Sequence, residues 1–177
     1  IIENIINDWT KVDIERTGTI LRYFNPVGAH ESGQIGEDPI SVPNNLMPYI
    51  AQVADGRCEH LNIFGNDYET ADGTGARDYI HVVDLALAHI GALNQSKLDK
   101  FEILNIGGGK STTVLELIKS FEDTSGVTIK FKYSPRRDGD LAAFWANSSK
   151  SFEKMSWKPE RNIKKICEDT WRWHKLN

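Results

Sequence analysis

Between residues 65 and 85 the chain changes character twice without a break, and that passage limits what the rest can build. The first half, Gly65-Asn66-Asp67-Tyr68-Glu69-Thr70-Ala71-Asp72-Gly73-Thr74-Gly75, holds three glycines and three carboxylates among few apolar residues, the composition of an exposed loop. Ala76-Arg77-Asp78-Tyr79-Ile80-His81 follows. If this run is extended, Arg77, Tyr79 and His81 share one side, and Asp78 and Ile80 take the other. A guanidinium two residues from a phenol on one edge suits an anionic, hydroxyl-bearing ligand: arginine supplies a donor fork and tyrosine a donor or acceptor on a stiff ring. An ion pair of Arg77 with Asp78 or Asp84 is the plain alternative, and this window alone leaves both readings open.

The neighbouring segments read as alternating strands and helices. Leu61-Asn62-Ile63-Phe64 is a short strand leading into the loop. After it, Val82, Leu85, Ala86, His89, Ile90 and Leu93 recur at helical spacing over 82–95, which makes His89 a core-edge residue rather than a metal ligand. Phe101-Glu102-Ile103-Leu104-Asn105-Ile106 is a second strand, closed by Gly107-Gly108-Gly109-Lys110-Ser111-Thr112. That turn invites a phosphate-loop reading, but the first glycine of such a loop would fall at Leu104, so the motif fails. What remains is a strand-to-helix turn with a capping box at Thr113-Val114-Leu115-Glu116 and a helix through Leu117, Ile118 and Phe121.

Upstream, Thr19-Ile20-Leu21-Arg22-Tyr23-Phe24 is β-prone and stops at Asn25-Pro26, like the carboxyl end of a buried strand, where open α/β sheets place ligands. Asn25 reads equally as a ligand-binding amide and as a turn former. Residues 41–50 read as a loop entering a helix, with Asn44 or Asn45 as N-cap, Pro48 in the first turn, Leu46, Ile50 and Val53 as the buried stripe, and Asp55-Gly56 as the end. One cap is enough, so one amide is spare. Near the carboxyl end, Ile129, Phe131 and Tyr133 alternate with lysines as a half-buried strand before Ser134-Pro135-Arg136-Arg137-Asp138-Gly139-Asp140. Its paired arginines read either as a self-neutralising loop or as the second arm of a phosphate clamp. A short helix over 148–155 and a closing helix over 162–174, with Ile163, Ile166, Cys167, Thr170 and Trp171 inward, complete the chain. Strand–loop–helix units after an opening helix point to the later part of a doubly wound α/β sheet.

Length and composition bound the function. The 177 residues, 40% hydrophobic and 26% charged, suit one globular domain. No apolar run approaches the roughly 20 residues that cross a bilayer. A formal charge of −4 argues against a nucleic-acid surface, so an anionic ligand must be met by local arginines. Cys58 and Cys167 form no disulfide framework, which fits a reducing, cytoplasmic setting. The histidines show no ligand spacing, and no metal is expected. Ile1, Ile2, Ile5, Ile6 and Trp9 make a helical face without a cap or an initiator methionine, which suggests a piece of a longer chain.

Four stretches together resemble the UDP-glucose 4-epimerases of the extended short-chain dehydrogenase/reductase family: Leu21-Arg22-Tyr23-Phe24-Asn25-Pro26-Val27-Gly28-Ala29-His30, Pro43-Asn44-Asn45-Leu46-Met47-Pro48-Tyr49, residues 65–81, and Arg136-Arg137-Asp138-Gly139-Asp140. The resemblance covers essentially the whole chain. Arg77-Asp78-Tyr79-Ile80-His81-Val82 alone marks the extended family; the insertion 66–75 and the Asn44-Asn45-Leu46 helix start narrow it to the epimerases. The resemblance implies the later strands of an NAD(P)-binding Rossmann fold plus a small α/β substrate-binding domain. Sheet-completing segments near 1–30 and 76–125 would interleave with substrate segments near 31–75 and 126–177.

It also implies roles. Tyr23, Phe24 and Pro26 would lie by the nicotinamide of NAD and Asn25 would reach the UDP-sugar. Asn44, Asn45 and Leu46 would hold the diphosphate end at a helix N-terminus. Asn62, Ile63 and Phe64 would border the uracil, Arg77 and Arg137 would grip the phosphates with Tyr79 beside them, and Asp140 would take a ribose hydroxyl. Phe144 would exclude N-acetylated sugars by volume. The implied reaction interconverts UDP-galactose and UDP-glucose through a 4-keto intermediate, in a homodimer. The family's glycine-rich NAD fingerprint and Tyr-x-x-x-Lys pair are both missing: four residues after Tyr23, Tyr49, Tyr68, Tyr79 and Tyr133 stand Val27, Val53, Asp72, Val83 and Arg137. No catalytic residue is therefore expected here, and the chain alone should be inactive and poorly soluble. A non-catalytic UDP-sugar-binding module is the alternative.

Overall fold

The computed structural model describes residues 1–39, 43–94 and 99–177. In chain order the elements are α1 (Ile2–Val12), β1 (Gly18–Tyr23), β2 (Asn25–Val27), α2 (Leu46–Ala54), β3 (Leu61–Phe64), β4 (Ala76–Arg77), β5 (Tyr79–His81), α3 (Val82–Asn94), β6 (Phe101–Ile106), β7 (Thr112–Thr113), α4 (Val114–Ser125), β8 (Phe131–Ser134), β9 (Ala143–Phe144), α5 (Ser149–Met155) and α6 (Ile163–Leu176). Residues 41 and 42 of the expected 41–50 segment, and the expected helix end at Gln95, lie outside the described residues.

Parallel pairing dominates. β1 runs beside β6 from Gly18↔Phe101 to Tyr23↔Ile106, β2 beside β5, and β3 beside β8. The expected stop at Asn25-Pro26 is instead a change of partner. The Phe24 N–H donates to the Ile106 carbonyl at 3.1 Å, and the Asn25 N–H donates to the Asp78 carbonyl at 3.0 Å. One residue thus hands the chain from β6 to β5 and sets Asn25 beside Tyr79. β4 lies between antiparallel β7 and parallel β9, two-residue pairings that carry no local sequence signal.

Two apolar clusters hold these elements. The first joins Met47 and Ile50 of α2, Leu61 and Ile63 of β3, Leu117, Ile118 and Phe121 of α4, and Ile166 and Cys167 of α6. Phe121 is fully buried there, so truncating it to alanine costs about 3–5 kcal/mol. The second joins Ile80, Leu85, Ala88, Leu104 and Ile106 with Met155 and Trp157. The apolar face of α4 meets α2 and α6, while Met155 of α5 packs beside Leu104 and Ile106 of β6.

Three apolar patterns face differently from their sequence reading. In α3 the buried residues are Asp84, Leu85 and Ala88, while Val82, Ile90 and Leu93 are exposed, because only one side of the helix meets the sheet. Phe131 and Tyr133 of β8 pack edge-on to each other at 5.7 Å and stay largely exposed; Ile129, just before the strand, is the residue that reaches the core. The helical face of α1 forms as expected, but Ile2, Ile5, Trp9 and Val12 are exposed, and α1 is held through Thr10 and an Arg22–Glu3 ion pair at 2.5 Å. No helix among the described residues is long and apolar enough to cross a membrane.

Candidate functional site

A cleft of about 330 Å³ opens where the carboxyl end of β1, the start of α2, and strands β3, β4 and β5 converge. Phe24, Asn25 and Pro26 line it from the β1–β2 hand-over, and Asn44, Asn45 and Leu46 from the start of α2. Asn62, Ile63 and Phe64 come from β3, Arg77 and Tyr79 from β4 and β5, and Arg137 and Asp140 from the loop after β8. Two of the expected residues lie elsewhere. Tyr23 leaves β1 on the other face, and Phe144 stands beside the cleft with its ring stacked on Phe24 at 4.9 Å.

The α2 start decides between capping and an open site. Asn45 occupies the N-cap position with extended φ and ψ of −85° and 141°, yet its side chain makes no capping hydrogen bond. Both amides and the positive end of the helix dipole are therefore open to the cleft. Neither of the ion pairs weighed for Arg77 forms. Its guanidinium donates to the carbonyls of Ala76 and Leu141 at 2.9 and 2.8 Å, and to Asp140 Oδ1 at 3.3 Å, so its position is set by backbone. The Arg137 guanidinium lies 3.8 Å above the Phe64 ring. Its neighbour Arg136 turns the other way, donating to Asp67 Oδ1 at 2.7 Å and lying over Tyr68, and so ties the 66–75 loop to the 134–140 loop.

Asp78 and Asp84 are occupied elsewhere. Asp78 is fully buried and accepts from the N–H groups of Gly108, Gly109 and Ala146 at 2.7, 2.9 and 3.0 Å. The glycine turn that imitated a phosphate loop thus cradles the protein's own carboxylate. Gly107 permits the approach: a Cβ there would lie 2.6 Å from Asp78 Oδ2. Asp84 accepts from Arg161 at 2.6 Å and from two backbone N–H groups.

Behind the cleft, His81 accepts from the Val83 N–H at Nδ1, so its proton sits on Nε2 and points to Asp169 Oδ2 at 3.2 Å. Burial lowers the His81 pKa, with Asp169 opposing the shift. The Tyr79 phenol is pushed up to about 12 by burial, with Arg77 pulling the other way, so it stays a protonated donor. Among the described residues no cluster of three or more His, Cys, Asp or Glu could hold a metal ion.

Tyr49, Tyr68 and Val114 also line the cleft and were not singled out from the sequence. Tyr49 had a readable signal, standing one helical turn after Asn45 and hence on the same face. Val114 had none, since it is placed by the bond from its N–H to the Gly75 carbonyl at 3.1 Å. Two arginines, a helix N-terminus and two free amides suit a polyanion, while Phe64 and the β3 backbone edge suit a planar ring.

The GDP-mannose 4,6 dehydratase family model matches residues 5–170. The chain belongs to that family of extended short-chain dehydrogenase/reductases. Within it, the chain is 54% identical over 177 residues to a UDP-glucose 4-epimerase of Erwinia amylovora, covering 99% of this chain and 52% of that protein. The crystal structure of the UDP-glucose 4-epimerase of Stenotrophomonas maltophila with NAD and formylated UDP-arabinopyranose superposes with a TM-score of 0.94 at 46% identity, covering 99% and 52% of the two chains. That of Bifidobacterium longum with NAD+ and UDP gives 0.91 at 45%, with the same coverage. The expected α/β Rossmann class and the epimerase resemblance both hold. This dehydrogenase/reductase chain spans about half the length of the curated relatives it matches.

Proposed function

We propose that this chain is the UDP-sugar-binding part of a UDP-glucose 4-epimerase, an NAD-dependent isomerase that interconverts UDP-galactose and UDP-glucose through a 4-keto sugar in the cytoplasm, as a homodimer. The observation that carries the reading is that Arg77 and Arg137 share one cleft with the uncapped start of α2. In this reading the guanidiniums and Asn45 take the diphosphate, Phe64 and the β3 edge take the uracil, Asp140 takes a ribose hydroxyl, and Asn25 reaches the sugar. A diphosphate held at so many points lets the sugar turn without loss of the nucleotide.

The residues present fit NAD at its nicotinamide end only. Phe24 and Pro26 stand at the carboxyl end of the parallel β1–β6 pair, where open α/β sheets bind such rings. The Gly107-Gly108-Gly109 turn offers no cradle for the cofactor's phosphates, because Gly108 and Gly109 already donate to Asp78. Bound there, NAD would supply the hydride acceptor and donor for oxidation and re-reduction of the sugar at C4. With no Tyr-x-x-x-Lys pair, this chain supplies the grip and not the base, and is inactive alone.

Calorimetric titration with UDP and with uridine tests the grip. Arg137→Ala is the cleaner variant, since Arg137 makes a ring contact with Phe64 and holds no backbone. Loss of one charge-assisted phosphate contact weakens UDP binding by about 10- to 100-fold and leaves uridine binding nearly unchanged. UDP binding no tighter than uridine would sink the reading. The missing catalytic pair favours a second reading, a non-catalytic UDP-sugar module. A cooperative thermal transition of the chain raised by UDP supports that module; aggregation without a transition supports a part of an enzyme.

A further inference from the structure

Two consecutive arginines follow β8 and turn opposite ways, as neighbouring side chains of extended backbone do. Ser134, the last residue of β8, is held by its carbonyl, which accepts from the Gly65 N–H at 2.9 Å. Arg136 then turns to the 66–75 loop. Its Nε donates to Asp67 Oδ1 at 2.7 Å, its Nη2 donates to the Asp67 carbonyl at 2.6 Å, and the guanidinium lies 4.2 Å above the Tyr68 ring. The Arg136 bond holds the Asp67 carboxyl below the usual carboxylate range. Gly65 makes room for this clasp, since a Cβ there would lie 2.5 Å from Tyr68 Cε2 and 2.9 Å from Arg136 Cγ. The gripped loop is itself anchored to the start of α4. Asp72 accepts from the Thr113 hydroxyl, and the Val114 N–H donates to the Gly75 carbonyl at 3.1 Å. Tyr68 is buried, and its hydroxyl has no hydrogen-bond partner among the described residues, so the ring is the part that the clasp uses. Arg137 is the opposite case: it makes no ion pair among the described residues, rests on the Phe64 ring at 3.8 Å and lines the cleft.

We propose that Arg136, Asp67 and Tyr68 are positioning residues: by fixing the chain on one side of Arg137, their clasp keeps the Arg137 guanidinium directed at a diphosphate that none of the three touches. The inference rests on the reading above, in which Arg137 takes a phosphate. It gives the 66–75 loop a part in anion binding through a neighbouring loop. A charge-only account predicts the opposite sign for one residue. Asp67 is a negative charge near an anion site, so on charge alone its removal would tighten UDP, whereas through the clasp its removal weakens UDP.

The test uses the chain itself, titrated by calorimetry with UDP and with uridine. Arg136→Lys keeps the charge but loses the donor fork and the stacked plane. It and Asp67→Ala should each weaken UDP by about 3- to 10-fold, less than the loss of Arg137 itself, because an exposed ion pair and one stacked ring hold loosely. Uridine binding should stay within about 2-fold, since the clasp acts on the phosphate grip alone. In an Arg137→Ala background neither substitution should cost UDP anything more, a result that a general loosening of the cleft would not give. Tyr68→Phe keeps the ring and should match the unmodified chain within about 2-fold, while Tyr68→Leu should weaken UDP as Arg136→Lys does. If Tyr68→Leu fails to fold, the two substitutions at the exposed pair still decide. UDP binding that is unchanged in Arg136→Lys, or tighter in Asp67→Ala, overturns the inference and leaves the phosphate reading standing. Equal losses for UDP and uridine overturn it as well. An unmodified chain that binds UDP no more tightly than uridine removes the phosphate reading, and the inference with it.

Discussion

Replacing Asp78 with asparagine tests how the fold holds the two cleft residues on either side of it. The carboxylate is fully buried; Oδ1 accepts from Gly108, and Oδ2 accepts from both Gly109 and Ala146. Asparagine has the same shape but only one accepting oxygen. Its better orientation puts that oxygen in the Oδ2 place, keeps two bonds without their charge, and turns an amide N–H against the Gly108 N–H. One charge-assisted bond is lost, a buried donor is left without a partner, and two bonds weaken, which sums to about 3 kcal/mol. For a chain of this size that corresponds to a fall in Tm of about 6–12 °C. Circular dichroism melts of Asp78→Asn beside the unmodified chain read it directly. Gly107→Ala is the matched control from the other side, since its Cβ would meet both Asp78 Oδ2 and, at 2.7 Å, the Ala146 Cβ. Both variants should also loosen UDP, because Arg77 and Tyr79 flank the anchor. An Asp78→Asn melt equivalent to less than about 0.5 kcal/mol of change would refute the reasoning.

Other outcomes follow from the same geometry. His81 has its pKa lowered by burial below the ordinary 6.5, so the unfolded chain takes up its proton first as the pH falls. The stability it contributes is complete above pH 6.5 and is lost as the pH drops toward its folded value; Tm against pH should be flatter for His81→Gln between pH 7 and 5, and parallel curves would contradict this. Cys167 is fully buried with its thiol pushed up to about 11, so at pH 8 a thiol reagent should modify half-buried Cys58 quickly and leave Cys167 until the chain unfolds. Equal rates for the two would show the α6 packing to be wrong. Phe144, stacked on Phe24 beside the cleft, should disfavour UDP-N-acetylglucosamine relative to UDP-glucose, and Phe144→Ala should narrow the gap in calorimetric affinity. A gap that survives the truncation would remove Phe144 as the gate, as would turnover of the two sugars at comparable rates by a complete enzyme.

What could be read from the chain was local. The capping box at Thr113 and Glu116 forms with both its bonds, at 2.8 and 3.1 Å, because each partner is three residues from the other. The alternation that put Arg77 and Tyr79 on one side survives for the same reason, with Asp78 turned inward between them. Apolar periodicity found α1 and α3, yet it could not say which side of α3 meets the sheet, since Val82, Ile90 and Leu93 repeat as regularly as the residues that are buried. The grouping of Asn45, Arg77 and Arg137 came from likeness to a family, because no local rule brings three residues so far apart in sequence to one cleft.

The glycine turn at 107–109 shows where local reasoning stops. Its composition marks it as a cradle for an anion, and the structure agrees: successive backbone N–H groups do converge on a carboxylate. The leucine at 104 breaks the spacing of a phosphate loop, and from sequence alone the segment reads only as a strand-to-helix turn. Its occupant is Asp78, about thirty positions away, delivered by the hand-over at Phe24 that sets β5 beside β2. An unmatched anion cradle in a sequence is therefore a reason to look for a buried carboxylate of the same chain before looking for a ligand. Here that carboxylate sits between two residues that face the cleft, so the cradle serves the site by holding its wall.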